Sequence, residues 1–270
     1  MDRVFGVDFT SAPKPGHPIV VVEGQRLAAR RWEFAPPVLL TDWTAFEQWL
    51  RLPGPWLAGL DFPLGLPAAF CDRCGWTDLA AIQAAVRAMT RDEWRDYVRQ
   101  NPPRDLRPDD AAWGGASPLN VVNPPVGLMY YEGARRVWDA GLALPGISPG
   151  DPNRVAIEVY PGAVAAELLP RSPHSRKSKP YKGRPKGVRP EARAAHRERL
   201  LRALRGWARC HGVEVEWSAE TEAMAHGDDQ GDALDALMAA AVTAWATDQP
   251  RYGTPNPSDS RVGGIVMPAR

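Results

Sequence analysis

The sequence predicts an α/β fold in which helices cover a sheet and one helical block interrupts it. Three observations carry this. Val4-Phe5-Gly6-Val7-Asp8-Phe9 and residues 56–62 are short apolar runs, as strands buried on both faces require. Residues 190–211 and 228–247 carry apolar positions at helical spacing. Between the two halves, residues 64–153 switch to helical periodicity around a Pro- and Gly-rich stretch, 101–127.

The elements follow in order. After the first strand come Ile19-Val20-Val21-Val22, a turn expected at Glu23-Gly24-Gln25, and a third strand over 27–34, which together fit two antiparallel hairpins. Asp42 can cap a helix whose Trp43, Phe46, Trp49 and Leu50 form a core-facing stripe. Pro63 stops the strand at 56–62. Within 64–153, helical spacing appears at Leu79, Ile82 and Val86, after the capping box Thr90-x-x-Glu93, and over 128–140. Residues 154–160 alternate as a strand, and a short helix runs to Leu169. Leu200, Leu201, Leu204, Trp207 and Ala208 line one side of the helix at 190–211; a short strand at 213–217 and the last helix, 228–247, follow. The expected organisation is one sheet domain in two parts, 1–63 and 154–247, with 64–153 inserted and a turn-rich, partly ordered tail at 248–270.

The 270 residues are 44% hydrophobic and 24% charged, an ordinary globular composition that excludes disorder, collagen-like repeats and coiled coil. No apolar run approaches the ~18 residues of a membrane span, and Met1-Asp2-Arg3 lacks the basic-then-apolar start of a signal peptide. A cytoplasmic protein with no membrane partner is expected. Three cysteines, an odd number, argue against a disulfide framework.

The formal net charge of +1 hides an asymmetry. Residues 171–209 hold 14 Lys or Arg against two acids, Glu191 and Glu198, and four of the five lysines in the chain. An acidic body with one basic segment suits metal ions in one place and a polyanion in another.

The acids carry the chemistry. On a helix over 228–247, Asp228, Asp232 and Asp235 fall within an arc of roughly 60°. Asp235 would lie two turns inside, beyond capping and dipole effects, whereas Asp228 and Asp229 read as caps. Asp8 and Asp61 each stand near the C-terminal end of an apolar strand, where an unpaired buried carboxylate is costly. In open α/β sheets, sites form outside those ends. Neighbouring strands would let the acids converge, and such a cluster is stable only with cations. Hard oxygen ligands select Mg²⁺ or Mn²⁺.

Asp232-Ala-Leu-Asp235-Ala-Leu is similar to the opening of the closing helix in Holliday-junction resolvases. More closely, Gly6-Val7-Asp8, Gly59-Leu60-Asp61-Phe62-Pro63-Leu64-Gly65-Leu66-Pro67, Glu158-Val159-Tyr160-Pro161, Tyr181-Lys182-Gly183 and Asp232-Ala-Leu-Asp235-Ala resemble domain of unknown function 429. That family is described as predicted nucleases of the ribonuclease-H-like superfamily, and the motifs span nearly the whole chain. The resemblance implies a ribonuclease-H-like, mixed five-stranded sheet flanked by helices, with the strands of Asp8 and Asp61 adjacent and parallel. It implies two-metal phosphodiester hydrolysis, with Asp8 bridging both ions, Asp61 on one, and Asp235 with Asp232 on the other. Glu158, farther from the centre, is a weaker metal ligand. The partner would be nucleic acid: Lys177, Lys179, Lys182 and Lys186 are expected to contact phosphates, with Tyr181 against a base or sugar.

Other signals are weaker. Cys71-Asp-Arg-Cys74 is half a zinc site, and Cys210-His211 completes a set only arithmetically. His174, His196 and His226 have no triad spacing, and Ser11 and Ser117 lack a nucleophile elbow. Two alternatives stand. An actin-like nucleotide phosphotransferase would use Asp8 with Thr10 and Ser11, although no glycine follows Asp8 as a phosphate hairpin would need. A non-catalytic nucleic-acid or protein-binding module would use the inserted helices.

Overall fold

The computed structural model describes residues 1–100, 105–169, 181–183, 189–255 and 259–269. The chain opens with β1 (Arg3–Asp8), β2 (Ile19–Ala28), β3 (Arg31–Phe34) and β4 (Val38–Leu40), then α1 (Trp43–Leu50) and β5 (Trp56–Leu60). Five helices follow: α2 (Ala68–Arg73), α3 (Leu79–Ala88), α4 (Arg91–Gln100), α5 (Pro108–Trp113) and α6 (Val126–Asp139). The chain then forms β6 (Leu142–Ala143), β7 (Asp151–Val159), α7 (Pro161–Leu168), α8 (Pro190–Cys210) and β8 (Glu214–Trp217). α9 (Ala219–Gly227), α10 (Asp232–Ala246) and β9 (Ile265–Val266) complete it.

Among the described residues the strands form one nine-stranded sheet in the order β6-β7-β5-β1-β2-β3-β8, with β4 beside β2 and β9 beside β7. β1 runs parallel to β5, and β5 to β7. β2 is antiparallel to β1, β3 and β4. The sheet is mixed and mostly parallel, with helices on both faces.

Side chains alternate across a strand with period two, and this decides which face receives the acids. Val4 and Leu57 pack into the core shared with α7, α8 and α10, while Phe5, Val7, Trp56, Ala58 and Leu60 pack into the core shared with α1. Gly6, Asp8, Gly59 and Asp61 continue the alternation set by Val4 and Leu57, so they belong to the α10 face. Gly6 and Gly59 are register partners. A Cβ on Gly6 would stand 2.1 Å from Ala240 N and 2.2 Å from Ala236 O; one on Gly59 would stand 2.1 Å from Thr243 Oγ1. The α10 backbone therefore lies directly on Gly6, and its Thr243 side chain fills the space above Gly59, an approach that its run of small residues allows. On the opposite face Phe5 packs edge-on against Trp49 and Trp56, and Phe46 stacks on Trp49. These tryptophans belong to the core.

The helical block has its own core of Leu66, Phe70, Ile82, Val86, Trp94 and Leu128 among others, with Trp94 Nε1 donating to Gly127 O. Asp42 and Asp78 cap α1 and α3 by accepting from Ala45 N and Ala81 N.

Six features differ from the sequence reading. The sheet has nine strands among the described residues rather than the five that the resemblance implies, because the short strands β4, β6, β8 and β9 join it. No turn forms at Glu23-Gly24-Gln25, because Gly24 is paired on both sides, with Val4 and Phe34; the chain turns after Ala28, where Arg30 takes φ 61°. β4 has too few residues for a periodic signal, and α9 buries only Thr221 and Ala225, so no apolar stripe marks it. The expected insertion, 64–153, overruns its helices: β6 and the start of β7 already belong to the sheet. The tail is tied in, since β9 pairs with β7 and Ile265, Val266 and Met267 are buried. The last helix starts at Asp232 rather than 228, because Gly231 adopts φ 74° and breaks it from α9. No helix among the described residues is long and apolar enough to cross a membrane.

Gly6→Ala should lower the free energy of unfolding by about 1–3 kcal/mol or more, since the new methyl meets backbone that cannot rotate away. Gly16→Ala, where a Cβ meets nothing within 4 Å, should stay within about 0.5 kcal/mol of wild type in the same urea titration.

Candidate metal centre

Three carboxylates converge where β1, β5 and α10 meet. Asp8 ends β1. Asp61 lies one residue past β5, and its N–H continues the ladder by donating to Val7 O at 3.0 Å. Asp235 lies in the first turn of α10, which the two glycines hold against these strand ends. One carboxylate oxygen from each of the three lies within 4.8 Å of the others. Among the described residues no other group of His, Cys, Asp or Glu side chains meets this closeness. Asp8 and Asp235 are buried and Asp61 is half-buried.

Asp232, one turn before Asp235, sits at the edge of the cluster, 3.7 Å from His17 Nδ1. The Lys182 ammonium fills the space between: Nζ lies 3.2 Å from Asp8 Oδ1, 3.4 Å from Asp232 Oδ1 and 2.5 Å from Asp235 Oδ2. Tyr181 donates its hydroxyl to Asp235 Oδ1 at 2.8 Å. The short segment 181–183 is itself anchored. Arg197 of α8 donates to Tyr181 O, His226 O and Asp229 Oδ1, and Gly183 N donates to Asp229 O. Gly231 makes room for it: a Cβ there would lie 2.9 Å from Lys182 Cγ.

The electrostatics follow from burial and crowding. Burial holds the Asp8 carboxyl well above the usual carboxylate range; Lys182 opposes the shift, and Asp232, Asp235 and Asp61 add to it. Asp232 is raised as well, again chiefly by burial. For Lys182, burial pulls downward, but Asp235, Asp8 and Asp232 outweigh it and keep the ammonium protonated. Among the described residues Lys182 pairs with three of these carboxylates, and all four are hard oxygen donors. The site therefore fits a small divalent cation such as Mg²⁺ or Mn²⁺ in both charge and donor type.

Several sequence expectations meet a different outcome. Glu158 is not part of the cluster. It is buried on β7, where its carboxylate accepts from Leu64 N and from both terminal nitrogens of Arg107. Arg107 also forks onto Asp110 and reaches Val262 O, so this buried network joins β7, the helical block and the tail. Tyr181 is buried with its hydroxyl committed to Asp235, and it offers no face to a base or sugar. Lys182 points into the acids rather than outward to phosphates. Lys177, Lys179 and Lys186 lie outside the described residues. Asp235 is not two turns inside its helix, because α10 starts at Asp232. Asp228 is a cap, accepting from Gln230 N and Ala233 N, while Asp229 pairs with Arg197. Cys71 sits in the core of the helical block, where burial pushes its thiol up to about 12, and Cys210 is exposed at the end of α8. They do not form a ligand set.

Sequence reasoning missed Arg107 and Arg91. Arg91, the first residue of α4, reaches the loop that leaves Asp8, donating to the Ser11 carbonyl at 3.4 Å and hydroxyl at 3.3 Å. The Pro-rich setting of Arg107 gave no signal; its burial arises only when three distant segments meet.

Two outcomes follow. Asp8 titrates higher in the folded chain than in the unfolded one, so its ionisation costs stability as pH rises past the usual carboxylate range. Asp8→Asn should therefore raise the melting temperature of metal-free protein at pH 7, and the gain should vanish below about pH 4, where the unfolded chain also holds the proton. Glu158→Gln should cost about 3 kcal/mol or more in denaturant unfolding, by breaking a buried ion pair, while leaving Mn²⁺ affinity unchanged.

The model of a family described as "Protein of unknown function (DUF429)" matches residues 6–260. No curated protein and no solved structure matches the chain.

Proposed function

The chain belongs to the DUF429 family of proteins of unknown function, and we propose that it is a metal-dependent nuclease with a ribonuclease-H-like core. The observation that carries this reading is the meeting of Asp8, Asp61 and Asp235 within 4.8 Å at the ends of two adjacent parallel strands. The parallel pairing of β1 with β5, the antiparallel β1-β2-β3 and an acid-bearing closing helix are what the resemblance to ribonuclease-H-like nucleases implies.

Asp8, Asp61 and Asp235 would hold Mg²⁺ or Mn²⁺, with Asp232 beside them; Glu158 is committed elsewhere. When bound, the metal supplies Lewis-acid activation of a water and charge stabilisation at the phosphorus oxygens. The protein's own part is to hold four acids on one rigid frame of sheet and helix, so that little reorganisation accompanies the reaction. Arg91 brings a guanidinium from the helical block to the loop beside Asp8, where it donates to Ser11 and pairs with Glu132 at 3.0 Å. A nucleic-acid partner is part of the same proposal, since a phosphodiester is the substrate that such a metal centre would serve.

The phosphotransferase alternative gains little. Thr10 Oγ1 accepts from Ala12 N and Ser11 is held by Arg91, so neither hydroxyl belongs to a glycine-rich phosphate hairpin.

Purified protein should cleave at least one member of a panel of DNA, RNA and branched junctions with Mn²⁺ or Mg²⁺, and none with EDTA. Asp8→Asn and Asp61→Asn should each reduce cleavage by about a thousandfold or more, roughly 4 kcal/mol of transition-state stabilisation. Full cleavage by Asp8→Asn would place the chemistry elsewhere. Silence on every substrate, with thermal stabilisation by a nucleotide, would favour the phosphotransferase.

A further inference from the structure

The four acids divide into two overlapping sets. Asp8, Asp61 and Asp235 bring oxygens within 4.8 Å of one another. Asp8, Asp232 and Asp235 instead surround the Lys182 ammonium, at 3.2, 3.4 and 2.5 Å. Asp8 and Asp235 are common to both, as carboxylates shared by two cations would be. Asp61 belongs only to the first set and Asp232 only to the second.

We propose that Lys182 is a permanent cation of this centre, standing where a second metal ion would otherwise sit, so that the protein binds one divalent ion rather than two. This rests on the metal-dependent reading above and changes its stoichiometry. The segment carrying Lys182 is built to stay. Tyr181 is tied to Asp235 through its hydroxyl and to Arg197 through its carbonyl, and Gly183 N is tied to Asp229 O. Gly231 forgoes a side chain at the point where one would strike Lys182 Cγ. A lysine that merely filled an empty site until metal arrived would need no such anchoring on both sides. Its fixed charge offsets repulsion among Asp8, Asp232 and Asp235, while Asp61 belongs with Asp8 and Asp235 to the set that would hold the metal.

Mn²⁺ titration of the full chain, followed by calorimetry and electron paramagnetic resonance, tests this. Wild type should bind one Mn²⁺ per chain, with an uncoupled spectrum. Asp61→Asn should weaken that binding by about tenfold or more, as loss of a ligand must, and by clearly more than Asp232→Asn, which removes a carboxylate of the Lys182 set. Lys182→Ala should admit a second Mn²⁺ with spin coupling between the two, and Lys182→Arg should keep the stoichiometry at one. If Lys182→Ala fails to fold, the contrast between Asp61→Asn and Asp232→Asn decides the same question. Two ions in wild type, equal losses in the two Asp variants, a single ion in folded Lys182→Ala, or no Mn²⁺ at all would each overturn the proposal. An active nuclease that binds two ions sinks this inference alone. A one-ion protein that cleaves nothing sinks the nuclease reading alone.

Discussion

The contact between α10 and the paired glycines of β1 and β5 is the constraint on which the rest depends. Gly6 and Gly59 lie side by side; the backbone of α10 rests where a Gly6 side chain would be, and its Thr243 side chain where a Gly59 one would be. Two residues beyond each glycine, on the same face, stand Asp8 and Asp61. The repeated spacing of glycine, any residue and aspartate on two parallel strands lets one geometric fact bring the helix close and set both acids beneath its first turn. Removing either glycine would lift α10 and carry Asp235 away from its partners.

Holding these acids together is costly, since burial and mutual repulsion both disfavour the ionised forms. Among the described residues one ammonium spans three of the carboxylates, whereas in the second buried network Arg107 forks onto both Glu158 and Asp110, and Leu64 N supplies a further donor. That network works as a latch, tying β7 to the helical block and the tail. Both contain buried acids, but among the described residues the first alone gathers carboxylate oxygens of three residues within 4.8 Å.

The basic segment divides in a similar way. Arg197, one of the 14 basic residues of segment 171–209, is buried and spends its donors on Tyr181, His226 and Asp229. Lys182 spends its charge on the acids. A positive charge that reaches the loop after Asp8 comes instead from Arg91, in the helical block. The insertion thus does more than decorate the sheet: it helps to shape the surroundings of the centre.

Much of this was already written locally. The buried strands with an acid at their ends, the Asp42 cap, the amphipathic α8 and the acidic arc of the last helix all follow from periods of two and 3.6 and from capping chemistry within a few residues. For the same reason Asp8, Asp61 and Asp235 were legible as a set. The partners of buried charges were not legible. Lys182 meets Asp8 across 174 positions of sequence, and Arg107 meets Glu158 across 51. The start of α10 turned on one left-handed glycine, Gly231, placed by the segment packed against it. Local spacing determines which face of a strand or helix a residue occupies; which opposite charge stands across from it is decided only when distant segments pack together.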